Sequence, residues 1–151
     1  MKMRKATKED LLLYYDWANE PDVRANSINK EGIALQDHTN WFLKRLEDEN
    51  SIFLVLEEEN IPVGQLRIDL NDKETLINFS IDKIQRGKGY GTVILNEAYE
   101  HYKSLHTDLP FTGYVKTTNL GSVKAFIKGG FLKSSKLASI NAEDYFVFTK
   151  L

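Results

Sequence analysis

The sequence predicts a mixed α/β (α+β) fold: one central, mostly antiparallel sheet of about seven strands flanked by four to five helices. Two observations carry that expectation. Between residues 51 and 82, three apolar, β-branched segments are separated only by turn-forming residues, the pattern of an antiparallel meander. From residue 91 onward the period changes, and helical stripes alternate with short apolar strands, which adds β–α–β units to the same sheet.

The elements follow in order. An opening strand is expected over Lys2–Ala6, and Thr7 with Asp10 three residues on reads as a helix N-cap with a capping box, starting a helix over about 8–18. Pro21, after Asn19 and Glu20, suits the first turn of a short helix to about Ser27. Leu35, His38, Trp41, Phe42 and Leu46 recur at spacings of three and four, giving a helix over about Leu35–Asp48. Strands Ser51–Glu57, Ile61–Leu70 and Thr75–Asp82 are separated by turns at Glu59-Asn60 and Asn71–Lys73. A helix over Gly91–Ser104 aligns Val93, Ile94, Ala98, Tyr99 and Tyr102 on one face. A strand runs from Pro110 to about Lys116, and Thr118 or Asn119 caps a helix to about Lys128 that leaves through Gly129-Gly130. Phe131–Lys136 and Asp144–Lys150 are the last two expected strands.

Composition narrows the function. The 151 residues suit one domain over 1–151. With no cysteine there is no disulfide, thiolate metal site or cysteine nucleophile. His38, His101 and His106 do not fall at metal-ligand spacing, so no metal is expected. Twenty basic and twenty-two acidic residues give a net charge of −2 without a block of like charge, so no nucleic-acid face is expected. The longest apolar run is Ile52–Leu56 and the N-terminus leads into polar sequence, so neither a membrane span nor a signal peptide is expected. A cytoplasmic monomer or homodimer is the resulting expectation.

The glycines are distributed unevenly. Three of nine, Gly87, Gly89 and Gly91, fall in the segment Gln85-Arg86-Gly87-Lys88-Gly89-Tyr90-Gly91-Thr92, between an expected strand and the start of an expected helix. Glycine permits close approach and unusual dihedrals, and the first turn of a helix offers N–H groups without intrahelical partners. With Arg86 and Lys88 at the rim, the segment is suited to a phosphate or pyrophosphate. It lacks the Gly-Lys-Ser/Thr ending of a P-loop and does not sit in a first βαβ unit. On spacing alone, a flexible charged turn is an equal alternative.

Arg86-Gly87-Lys88-Gly89-Tyr90-Gly91 resembles the Arg/Gln-x-x-Gly-x-Gly/Ala signature of the GCN5-related N-acetyltransferases. Asn119-Leu120-Gly121-Ser122-Val123-Lys124-Ala125-Phe126-Ile127-Lys128-Gly129-Gly130-Phe131 resembles that family's second cofactor segment, ending in Gly-Phe. Order and separation match, and so does the element order, so the resemblance covers essentially the whole chain. It implies that acetyl-CoA is the cosubstrate and that the fold is the acyl-CoA N-acyltransferase fold. The backbone amides of Arg86, Gly87, Lys88, Gly89, Tyr90, Gly91 and Thr92 would hold the coenzyme A pyrophosphate. Ile81 and its neighbours would pair with the pantetheine arm, and Asn119 would hydrogen-bond to it. A backbone N–H near Phe79–Ile81 would stabilise the oxyanion as an amine attacks the thioester between splayed fourth and fifth strands.

The family often carries a tyrosine acid where this chain has Phe126, which cannot donate a proton. Either the thiolate, with an ordinary pKa of about 8.5, leaves unassisted, or another group such as Tyr114 reaches it. Candidates for accepting or orienting the amine proton are Asn78, Ser80, Asp69, His38 and an ordered water. Asp69 has a turn-residue alternative, and His38 reads equally as a buried histidine satisfied by backbone. Without cysteine the amine is expected to attack acetyl-CoA directly in a ternary complex.

For the acceptor, Trp17-Ala18-Asn19-Glu20-Pro21-Asp22-Val23-Arg24, His38-Thr39-Asn40-Trp41-Phe42 and Gly64-Gln65-Leu66-Arg67-Ile68-Asp69 resemble the pattern of acetyltransferases acting on nucleotide-linked 4-amino-6-deoxy sugars of nonulosonic acid biosynthesis. Trp17 and Trp41 would offer stacking faces, Arg24 and Arg67 donors for a diphosphate, and His38 a polar contact. Trp17, Trp41 and Phe42 read equally as core aromatics. The alternatives are an acetyltransferase of protein or peptide N-termini and a non-catalytic coenzyme A-binding module.

Overall fold

The computed structural model describes residues 1–151. Strand β1 (Lys2–Lys5) leads through a 3-10 turn at Lys8–Asp10 to helices α1 (Leu11–Asn19), α2 (Pro21–Ala25) and α3 (Leu35–Leu46). Strands β2 (Ser51–Glu58), β3 (Ile61–Leu70) and β4 (Thr75–Ile81) follow, then a 3-10 turn at Lys83–Gln85, helix α4 (Tyr90–Ser104), β5 (Phe111–Lys116) and α5 (Leu120–Lys128). Strands β6 (Leu132–Lys133), β7 (Ala138–Ile140) and β8 (Glu143–Lys150) close the chain. Together they form the expected mixed α/β fold with five helices, around an eight-stranded sheet ordered β1-β2-β3-β4-β5-β8-β6, with β7 also on β8.

Two expectations are corrected. The Thr7–Asp10 capping box forms, but it closes a 3-10 turn, and α1 starts only at Leu11. The strand expected over Phe131–Lys136 is paired only at Leu132–Lys133; past an unpaired stretch the chain continues antiparallel along β8 as β7, which the turn at Asn141 and Ala142 joins to β8. Both turn residues have positive φ, 51° and 63°. A two-residue hairpin demands that conformation, but alanine does not advertise it as Asn-Gly would.

β2 is apolar at consecutive positions because both its faces are covered. Leu54 and Leu56 point into the larger core, with Leu66, Ile68, Ile77, Phe111 and Phe148 from the other strands and Ile94, Leu95, Ala98, Tyr102, Ala125 and Phe126 from α4 and α5. Phe53 and Val55 alternate to the opposite face and pack under α1 and α3 with Tyr14, Trp17 and Phe42. That second core ends at β2. Beyond it, the register carries Gln65 and Arg67 of β3 opposite Ser80 and Asn78 of β4, on the same face of the sheet, where the residues become polar and only partly covered.

β4 and β5 are parallel neighbours for only two pairs, Thr75↔Phe111 and Leu76↔Thr112, after which pairing stops. β5 instead pairs along its whole length with β8. Above Leu76 the sheet therefore opens into a cleft. Odd residues of β4 aim their backbone groups toward it: Thr75 N–H donates to Pro110 O, whereas Asp82, one place past the strand, donates to Val63 O on the other side.

Candidate active site

The glycine segment sits at the top of this cleft. Gly87 and Gly89 have φ of 79° and 86°, the left-handed region that glycine enters without steric cost, and a Cβ at either would meet nothing within 4 Å. Gly89 forms the N-cap of α4 with no side-chain cap. None of the backbone N–H groups from Arg86 to Thr92 donates to an acceptor within the chain, and the first bond of the helix is Val93 N–H to Gly89 O. A consecutive run of free donors at the positive end of a 15-residue helix is a ready anion site. Gly91 differs: its Cβ would lie 3.3 Å from Ala125 Cβ and 3.5 Å from the Phe79 ring, so here the missing side chain lets α4 approach α5 and β4.

The rest of the expected cofactor set divides. Lys88 is exposed and donates to Gln85 Oε1 at 2.9 Å. Arg86 is not the mobile rim cation expected from sequence. Its Nε donates to Ile81 O at 3.1 Å, and its terminal nitrogens bind Glu20 at 2.8 Å and Asp22 at 3.3 Å. Ile81 ends β4 beside the cleft with its carbonyl already occupied by Arg86. Tyr90 and Thr92 lie in the first turn of α4. Asn119 caps α5, accepting from Ser122 N–H through its side-chain oxygen, which leaves its amide nitrogen to donate elsewhere. Phe126 is in the core, only 2% exposed. Its ring stacks on Phe148 and meets Phe131 edge-on, occupying the space above Gly113. It is a packing residue rather than one lining the cleft.

Several acceptor candidates are consumed by the fold. Trp17 is buried, and its indole N–H donates to Asp82 Oδ2 at 2.8 Å, mooring α1 to the end of β4. His38 is 2% exposed, stacks on Phe42, and bonds through Nε2 to Leu11 O at 2.9 Å. A carbonyl only accepts, so Nε2 carries the proton, and burial lowers the pKa despite that carbonyl. Trp41 packs on Phe53 and has the Arg67 guanidinium 5.2 Å above its ring. Arg24 donates to Asn29 O and Glu31 O and to Ser27, shaping the loop after α2, with burial lowering its pKa. The stacking faces and diphosphate donors read from sequence are therefore engaged in structure.

Asp69 is also engaged. It accepts from Arg67 Nε at 2.8 Å and Ser51 Oγ at 2.9 Å and faces Arg45 at 3.5 Å. Its oxygens are therefore committed to side chains of the fold. Ser80 Oγ accepts from Gln65 Nε2 at 3.1 Å, and Asn78 is exposed one pair down the strand. Across the cleft, Tyr114 stands on β5 with its hydroxyl 3.0 Å from both carboxylate oxygens of Glu74. Burial and the Glu74 hydrogen bond both raise the Tyr114 pKa, so the phenol stays protonated and donates.

Glu74 is the functional candidate missed in the sequence. It is half-buried beside the partly covered polar face and, unlike Asp69, Glu20 and Glu143, has no basic partner. Its tyrosine lies 40 residues away, so only the β4–β5 pairing reveals the pair. The end of α2 and the loop after it are anchored where β5 ends and β8 begins: Lys116 donates to Ala25 O and pairs with Glu143, and Lys30 also pairs with Glu143.

A strand pair that parts beside a row of free N–H donors places an anion site next to an open strand edge, with polar side chains below. Residues 1–132 match the family described as acetyltransferase (GNAT) domain, and the chain belongs to that family. It is thus an acetyl-CoA-dependent N-acetyltransferase. No curated protein matches the sequence. Among solved structures, it is similar to AAC(6')-Ib in complex with ribostamycin and coenzyme A, with TM-score 0.84 and 17% identity over 99% of this chain and 92% of that one. It is also similar to the spermidine N-acetyltransferase of Vibrio cholerae in complex with CoA and spermine, with TM-score 0.81 and 17% identity over 98% and 92%. A GNAT-family acetyltransferase from Streptococcus pneumoniae gives TM-score 0.77 and 19% identity over 99% and 98%. No group of three or more His, Cys, Asp or Glu side chains is placed to hold a metal ion, and no helix is long and apolar enough to cross a membrane.

Proposed function

We propose that the chain acetylates a primary amine of a small, cationic acceptor that binds on the face formed by Gln65, Arg67, Asn78, Ser80 and Tyr114. The observation that carries this reading is Glu74, a half-buried carboxylate with a tyrosine hydroxyl but no cation beside it. With no basic side chain paired to it, Glu74 can take an ammonium group of the acceptor as its counter-charge. Two of the similar structures are complexes with amine-rich ligands, ribostamycin and spermine, which supports a polyamine or amino-sugar class here.

Acetyl-CoA, when bound, supplies an activated acetyl group and a thiolate leaving group. On the chain's side, the N–H groups of residues 86–92 take the pyrophosphate. A β4 N–H at Phe79 or Ile81, aimed into the cleft, stabilises the oxyanion. Asn78 and Ser80 orient the amine or a water that receives its proton. The nitrogen bonds to the carbonyl carbon, the carbon–sulfur bond breaks, the sulfur leaves as thiolate, and the amine proton passes to water. Phe126 provides no acid for the thiolate, and Tyr114 holds its proton toward Glu74.

The narrower reading of a nucleotide-linked 4-amino-6-deoxy sugar is the less favoured one, because Trp17, Trp41, Arg24 and Arg67 are all engaged within the fold. A panel separates the classes: a polyamine, an aminoglycoside, a nucleotide-linked 4-amino sugar and a peptide with a free N-terminus, each assayed by acetyl-CoA-dependent thiol release. With no cysteine in the chain, every thiol detected comes from the cofactor. Turnover with the polyamine or aminoglycoside, and a rise in their KM of about tenfold in Glu74→Gln, is the expected result; it corresponds to losing one charge-assisted hydrogen bond. Turnover confined to the nucleotide sugar, or to the peptide, would contradict the assignment.

A further inference from the structure

The side chain of Arg86 belongs to the cofactor segment by sequence but is bonded to the opposite wall of the site. All three of its nitrogens are used: Nε on Ile81 O, one terminal nitrogen on Glu20 and the other on Asp22. Glu20 is itself the N-cap of α2, its two carboxylate oxygens accepting from Asp22 N–H and Val23 N–H. Its side chain is only 14% exposed. Burial alone would raise its pKa, but Arg86 and the two N–H groups outweigh it and hold Glu20 ionised. The guanidinium thus ties three things together: the end of β4, the glycine loop, and the helix that begins the acceptor-side wall. The neighbouring link, Trp17 to Asp82, reaches the strand end but not the loop.

We propose that Arg86 is a positioning residue that couples the cofactor and acceptor sites, rather than a ligand of the pyrophosphate. To reach a phosphate it would have to abandon three hydrogen bonds and leave the Glu20 carboxylate with only its two backbone donors, while the loop already presents free N–H groups for the anion. Ordering the loop around coenzyme A therefore orders α2 through Arg86. Coupling is reciprocal, so an acceptor that contacts α2 strengthens cofactor binding by the same factor. The inference rests on the glycine loop holding coenzyme A, but it does not depend on which amine is the acceptor.

The test uses the full chain and coenzyme A alone. Hydrogen exchange is followed at residues 20–26 and 87–92 with and without saturating coenzyme A, and affinity is measured by calorimetry. In the wild type, coenzyme A is expected to slow exchange in both segments. In Arg86→Gln, protection of 87–92 and the coenzyme A Kd should stay within about threefold, while protection of 20–26 disappears; Arg86→Lys should restore part of it. Should Arg86→Gln fold poorly, Glu20→Gln combined with Asp22→Asn severs the same link from the other side and should reproduce the pattern. A loss of coenzyme A affinity of about tenfold or more in Arg86→Gln, without loss in the Glu20/Asp22 variant, would make Arg86 a phosphate ligand and overturn the proposal. Unchanged protection of 20–26 in both variants would overturn it too. Failure of the wild type to bind coenzyme A would overturn the loop assignment itself, a distinct result from binding without propagation.

Discussion

Gly89 and Gly91 lie two residues apart in the same loop, but the structure assigns them different work, and substituting each separates the two. At Gly89, φ is 86° and no atom lies within 4 Å of an added Cβ, so alanine meets no clash and only the left-handed backbone resists it. That strain costs about 1–2 kcal/mol, or about 2–8 °C in midpoint for a chain of this size. If the residue relaxes toward the right-handed region instead, the N–H groups beside it turn away from the anion. Losing two hydrogen bonds to a charged group costs at least about 3 kcal/mol, on the order of 100-fold in affinity. At Gly91, by contrast, valine would push into Ala125 and the Phe79 ring, already 3.3 and 3.5 Å from the first added carbon, and overpacking of this kind costs about 1–3 kcal/mol. Calorimetric titration with coenzyme A and thermal melting followed by circular dichroism read both quantities. Gly89→Ala should lose more in binding than in stability, and Gly91→Val should be destabilised by lifting α4 from α5. Wild-type affinity in Gly89→Ala would show that the loop is only a turn.

Two further predictions follow from groups the fold has buried. Phe126→Tyr should not restore a general acid. The ring tip already occupies the space where a Gly113 side chain would be, so the added hydroxyl is forced into an apolar site; a stability loss of about 1–3 kcal/mol by denaturant titration and no rise in kcat are expected. His38 is neutral in the fold, with its pKa lowered by burial, while in the unfolded chain it charges near pH 6.5. The unfolded state therefore binds the extra proton on acidification. Stability from this group is complete above about pH 6.5 and falls as the pH drops below it, with a slope of at most about 1.4 kcal/mol per pH unit. Denaturant midpoints between pH 7 and 5 should fall less steeply in His38→Gln than in the wild type; parallel curves would show that the imidazole is not held neutral.

Local signals made most elements legible. The meander at Ser51–Ile81, the stripe of α4 and the Gly129-Gly130 exit each depend on residues close in sequence, and each appears where the pattern places it. The β7–β8 hairpin did not, because Asn141-Ala142 lacks the glycine that marks such a turn. The site was legible where backbone does the work, as in the run 86–92, whose donors follow from glycines preceding a helix. It was illegible where side chains choose between partners. Trp17, Trp41, Arg24, His38 and Asp69 carry ligand-like chemistry, but Asp82, Arg67, the Asn29 and Glu31 carbonyls, the Leu11 carbonyl and two arginines claim them first. Those partners lie up to 65 residues away and are set by packing, which a linear pattern does not encode. The same limit hid Glu74 behind Tyr114 and the Glu20–Arg86 link between the two walls.

The most direct measurement is a backbone amide titration by NMR, comparing acetyl-CoA with pantetheine, which has the arm but no pyrophosphate. If residues 86–92 cradle the pyrophosphate, acetyl-CoA shifts those amides and binds at least about 100-fold more tightly than pantetheine, as expected when two or more hydrogen bonds to a charged group are absent. Equal affinities, or shifts that leave residues 86–92 untouched, would contradict the cofactor site on which the acetyl transfer depends.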